Sequence, residues 1–443
     1  MSMLQRLRER FWFLPAVMCV GAFVLAESLI ALDRVLANRW PDWGGTLLYR
    51  VGESGSRDLL GAIGTSALAV AGTTFSITMA VLALTSSSYG PRLVRNFMAD
   101  RGNQAVLGVF VSTFLYALLV LRSVRALGDP ADGGDVFVPH LAVNVAVVLA
   151  VLNVAVLVYF IHHISDSIQI STLAGGVRVE LRRVVDRMYP AELGHDERET
   201  DEPVTGLPED LDDGAPVTAG GSGYIQSIRD DSLLAAAREH DILVALRVRP
   251  GRYVLDDTIV ARVHPATSGS DEVMDAVRRA IQIAGYRSPH QDVEFAVQQL
   301  TEMAVRAMSS GVNDPYTAVN ALDDLSAGLS VLAGRPRPSA ARFDDDGELR
   351  VHAPAVDLVE VVGPVVDAMR WNAGSSPPVM HATLNLVARV GRQDVPVELT
   401  EHLRAQVTLL SDAFAAAGHS EHDIAKIAVH ADEVLESLVS QRG

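Results

Sequence analysis

Three groups of polar residues have the types and spacing to do chemistry. The first is GTTFSITMAVLALTSSSYGPR, residues 72–92, which puts hydroxyls into an otherwise apolar run. On a helix Thr74, Thr78 and Thr85 share one strip, with Ser66 and Thr73 on the strip beside it. Hydroxyls so placed either hydrogen-bond across a tight helix–helix contact or line a watery path where they meet hydrated ions. Both readings turn this face away from lipid. The second group is IHHISDS, residues 161–167, where His162 and His163 stand four and three residues before Asp166. Helical side chains meet at that spacing. It suits a histidine–carboxylate pair, or part of a proton- or metal-responsive junction whose metal the residues do not specify. The third and densest group joins SPHQDVEF, residues 288–295, to SSGVNDPYTA, residues 309–318. Here Asp292 and Glu294 suit the first turn of one helix, and Asp314 before Pro315 suits the start of another. Alternatively His290, Asp292, Glu294, Asn313 and Asp314 converge as a ligand or cation pocket. No GxxxxGK[ST], HExxH or GxSxG run occurs, so the chain reads as a non-enzyme that needs no cofactor.

Composition says what must position these groups. The 443 residues carry 37 basic against 54 acidic side chains, a net charge of -17, which argues against nucleic acid as a partner. With Cys19 as the single cysteine, no intramolecular disulfide can form. Apolar runs long enough to span a bilayer cover about 12–32, 59–84, 105–121 and 136–161 within a transmembrane domain 1–164. Arginines mark one side: Arg6, Arg8 and Arg10, then Arg92, Arg95 and Arg101, then Arg178, Arg182, Arg183 and Arg187. Four spans bring all three segments to the same side, so both termini are expected in the cytoplasm of a bacterial inner membrane. An amphipathic juxtamembrane helix is expected over 165–190, with its arginines near headgroups, followed by an acidic disordered linker over 191–222. Beyond it come a small β-barrel-like module, 223–266, and a mainly helical domain, 267–443, with helices over 271–285 and 292–309 among others. The fold class is therefore an α-helical transmembrane bundle of four spans followed by an α+β cytoplasmic domain.

The combination of TTFSITMAVLALTSSSYGPR, YFIHHISDSIQ, GYIQSI…RPGRYV and QDVEF…RAMSSGVNDPYTA resembles the bacterial predicted membrane-protein family known as domain of unknown function 2254. The resemblance covers nearly the whole chain. It implies N-terminal spans and a C-terminal soluble domain, and it carries over no catalytic residues. Two functions follow as expectations. The first is a homo-oligomeric ion or small-solute pore, lined by the second span and gated by the cytoplasmic domain. The second is a non-conducting membrane-anchored sensor or scaffold that binds a ligand or partner through the soluble domain. Lipid is a partner in both.

Overall fold

Helices α1 (Phe13–Leu36), α2 (Glu53–Tyr89), α3 (Arg101–Ser123) and α4 (His140–Ser167) are each long and apolar enough to cross a membrane. A computed structural model of the chain describes residues 11–36, 52–89, 100–124, 137–167, 170–189, 207–208, 211–353 and 356–439. It divides into two units, Met1–Thr172 and Leu173–Gly443. In the first unit α3 is the central helix and packs against α1, α2 and α4. Its buried face mixes large side chains, Phe110 and Tyr116, with the small Gly108, Thr113 and Ala117, where neighbouring backbones can approach. The Asp100 carboxylate caps α3 by accepting from Gly102 N at 2.6 Å.

In the second unit α5 (Ile170–Met188) buries Val177, Leu181, Val184 and Val185, one apolar stripe at helical spacing. Its arginines, expected near headgroups, bond within the unit: Arg178 to Asp324 at 2.9 Å and Arg187 to the His290 carbonyl at 3.0 Å. Strands β1 (Ala215–Thr218), β2 (Gly223–Ile228), β3 (Leu243–Leu246), β4 (Tyr253–Val254), β5 (Ile259–His264), β6 (Ile281–Ala284), β7 (Ala341–Phe343) and β8 (Leu349–His352) form two sheets. One is five-stranded, in the order β1-β5-β3-β8-β7; the other is three-stranded, β4-β2-β6. Helices α6 (Asp230–Glu239) and α7 (Asp271–Ala280) share one core with them, built on Ile225, Leu233, Val244, Val263 and Val277. Helices α8 (Val293–Ala307), α9 (Pro315–Ala333), α10 (Leu358–Ala373), α11 (Pro377–Gly391), α12 (Val397–Ala416) and α13 (Glu421–Val439) form the bundle.

Two boundaries differ from expectation. Ala215–Thr218, assigned above to the disordered linker, pairs with β5 because Val217 is fully buried in the shared core. The linker's residues 190–206 lie outside the described residues. The helix expected over 271–285 stops at Ala280, and Ile281–Ala284 turns into a strand. Its pairing with Gly223–Ile228 outweighs the helical spacing. With β7 and β8 added, the β-rich part draws on residues well beyond 266.

Candidate functional site

The hydroxyl face divides in two. Thr74 and Thr78 are buried, at 3% and 5% exposure, and each spends its hydroxyl on its own helix: Thr74 donates to the Ala71 carbonyl at 2.9 Å, Thr78 to the Thr74 carbonyl at 2.8 Å. They continue the buried line Gly64, Ala67, Ala71 of α2, where a Cβ at Gly64 would touch Ala117 of α3 at 3.6 Å. Ser66 and Thr73 lie on the exposed side, Thr73 donating to the Ala69 carbonyl at 3.0 Å. The Thr85 side chain lies outside the described residues.

At the end of α4 the carboxylate partner comes from elsewhere in the chain. His163 Nε2 lies 3.0 Å from Asp100 Oδ2, 63 residues earlier, and its ring stacks on Tyr159 at 5.3 Å. One carboxylate thus caps α3 and meets the histidine. His162 points outward, and the Asp166 side chain lies outside the described residues. The third group also separates. Asp314 caps α9, accepting from Thr317 N at 3.1 Å and Thr317 Oγ1 at 2.5 Å, which holds its carboxyl below the ordinary aspartate range. Asn313 precedes it in a left-handed conformation, φ 46°, which asparagine tolerates. His290 contacts Arg187 of α5. Of these five, Asp292 and Glu294 line one cavity, and His290, Asn313 and Asp314 are not among its lining residues.

That cavity has a volume of about 130 Å³. Its floor begins with the turn Arg249-Pro250-Gly251-Arg252. Gly251 takes φ 91°, and a Cβ there would collide with the Asp292 carboxylate, so only glycine lets the turn close over α8. Asp292 is 2% exposed; it caps α8 by accepting from Phe295 N at 2.9 Å and pairs with Arg287 through two 2.8 Å bonds. Arg249 leaves the same turn, meets Glu294 at 2.9 Å and also pairs with Glu360, while its Nε is buried without a partner. The two arginine contacts of Glu360, Arg249 before Arg252, hold its carboxyl below the ordinary glutamate range. Tyr189, just past α5, closes one wall; burial, at 6% exposure, pushes its hydroxyl well above the ordinary phenol value, so it stays a proton donor.

Arg337, Pro338 and Ser339 also line the cavity, part of the segment Arg335-Pro336-Arg337-Pro338-Ser339 that the three sequence groups missed. Arg335 bonds Asp186 of α5 at 2.6 Å. Arg337, between two prolines that restrict its backbone, lines the cavity and has no hydrogen-bond or ion-pair partner among the described residues. The rest of the lining mixes apolar residues, Leu246, Val248 and Val293 among them, with Asp230, Gln291 and Arg342. The signal that could have found this site is the alternation of arginine and proline, a cation on a backbone with little freedom. Chemically the cavity offers an apolar body, a phenol, guanidinium groups and the carboxylates of Asp230, Asp292 and Glu294.

Comparison with known proteins adds breadth. The family model described as "Predicted membrane protein (DUF2254)" matches residues 8–389. Uncharacterized proteins Rv1290c of Mycobacterium tuberculosis (strain H37Rv) and Mb1321c of Mycobacterium bovis are each similar at 32% identity, over 98% of this chain and 82% of the relative. No solved structure matches the chain.

Proposed function

The chain belongs to the DUF2254 family of predicted membrane proteins, and on that premise we propose a multi-pass membrane protein that senses a small ligand in its C-terminal unit without conducting. The observation that carries this reading is the cavity at the end of α5. Tyr189 is the residue after that helix, Arg335 holds its Asp186, and α5 itself begins three residues after α4 ends. A ligand seated between Tyr189 and Arg337 therefore acts on a helix joined to the last span by a very short connection. Both termini and the ligand site are assigned to the cytoplasm, on the arginine pattern. The buried threonines favour this reading over a pore, since Thr74 and Thr78 are buried within the single chain and each bonds its own helix.

The test uses the full chain in detergent. A panel of metabolites is screened by melting temperature against wild type and Ala353→Phe, which fills the cavity wall. A compound that stabilises wild type and leaves the variant unmoved is the expected result, because only a ligand of the folded state raises stability. Stabilisation that survives Ala353→Phe removes the cavity from the account.

A pore keeps one supporting observation: Ser66 and Thr73 are exposed on α2, where a second copy could cover them. Planar-bilayer conductance abolished by Ser66→Leu with Thr73→Leu would establish that function in place of the sensor.

A further inference from the structure

The charges around the cavity can be paired off. Asp292 is answered by Arg287 at 2.8 Å, and Glu294 by Arg249 at 2.9 Å. Asp230 has Arg342 as its neighbouring cation. Arg337 is left over: of the cations lining the cavity it alone has neither a hydrogen bond nor an ion pair among the described residues. Two more donors of cavity-lining residues lack an acceptor among the described residues. The Arg249 Nε is buried and unpartnered, and the Tyr189 hydroxyl bonds to nothing among the described residues. Unmet donors in a half-buried wall are costly, and an anionic group is the acceptor that answers all of them.

We infer that the cavity binds a small amphipathic anion, its carboxylate or phosphate-ester head on Arg337, Arg249 and Tyr189 and its short apolar body against Val248 and Val293. The size follows from the volume: about 130 Å³ is below the roughly 300–1,000 Å³ of sites for drug-sized ligands. The inference rests on the cavity reading above and adds the sign of the ligand. Binding ties Arg337 to Tyr189, and so reinforces the Arg335–Asp186 bond that already holds α5.

The experiment is calorimetric titration of the full chain in phosphatidylcholine nanodiscs with hexanoate, hexyl phosphate, hexanol and hexylammonium. Hexanoate or hexyl phosphate should bind, and Arg337→Gln should weaken that binding about ten- to a hundredfold, the loss expected for hydrogen bonds to a charged group. Hexanol should bind more weakly and be indifferent to Arg337→Gln. Hexanol or hexylammonium binding as well as hexanoate, with Ala353→Phe blocking all of them, would overturn the anion while leaving the cavity intact. Absence of binding by every probe would overturn cavity and anion together. Repeating the titration in discs containing phosphatidylglycerol separates the two sources of the head group. Competition there assigns the anion to a lipid headgroup, and unchanged affinity assigns it to a soluble acid; both outcomes sustain the anion.

Discussion

Asp292 and Asp314 occupy the same position in two helices, yet different losses are expected from them. Each is an N-cap that accepts a backbone N–H three residues on, Phe295 at 2.9 Å and Thr317 at 3.1 Å. Asp314 is half-buried and its remaining contact is the Thr317 hydroxyl. Asp314→Ala should therefore cost about 1 kcal/mol, and Asp314→Asn close to nothing. Asp292 lies under the Gly251 turn and neutralises Arg287. Asp292→Ala leaves that guanidinium without its partner and should cost about 3–5 kcal/mol. Urea denaturation of the three variants checks the order, and an Asp314→Ala loss as large as that of Asp292→Ala would mean that Asp314 has a second role. The Asp314-Pro315 cap was legible in the sequence because a cap is decided within four residues. The burial of Asp292 was not, since the glycine that covers it stands 41 positions earlier. The same holds for His163, whose carboxylate is Asp100 and whose sequence neighbour Asp166 looked the better partner. Arg337 escaped notice for another reason: its motif names no reaction, and its importance lies in what fails to pair with it.

Between elements, α11 and α13 meet at a pair of histidines. His381 Nδ1 lies 2.8 Å from His430 Nδ1 with the rings stacked at 5.0 Å. Burial, and then the neighbouring His381, hold His430 below its ordinary value of 6.5, while Glu433 opposes them. The folded state thus favours the neutral ring more than the unfolded chain does. The stability this gives is present above the ordinary histidine value and is lost as pH falls from there through the lowered folded value. The melting temperature of the full chain should drop between about pH 7 and pH 5, and His430→Gln should flatten that drop. A profile unchanged by the substitution would place the dependence elsewhere. Neither histidine was among the sequence candidates, because they stand 49 positions apart on two helices of ordinary amphipathic pattern. The helices themselves were readable. Strand β6 was not, since Ile281 and Ala284 fit a helix until β2, more than 50 residues away, supplies the ladder.

At the scale of the molecule, orientation decides which solution the cavity samples. Four spans of 23, 31, 23 and 26 residues follow from length and apolarity alone, and for that reason they were the most legible part of the chain. Their direction rests on arginines in the flanking segments, which the bilayer sorts by charge. Cys19 is the single cysteine, so a Cys19→Ser background makes the chain suitable for labelling with an impermeant maleimide. Asn103 sits in one of the segments expected inside, but at 4% exposure it is buried in α3 and would report packing in place of sidedness. Ser222 is exposed just before β2 in the second unit and serves better. In intact cells Ser222→Cys should be protected and become reactive only after permeabilisation, whereas Gly44→Cys and Gly133→Cys should react at once. The same labels also bear on function. Should Ser222→Cys react from outside while Gly44→Cys is protected, the cavity would face the outer solution. Its anion would then come from the cell's surroundings and not from its metabolism, and α5 would carry the signal inward through α4 instead of towards it.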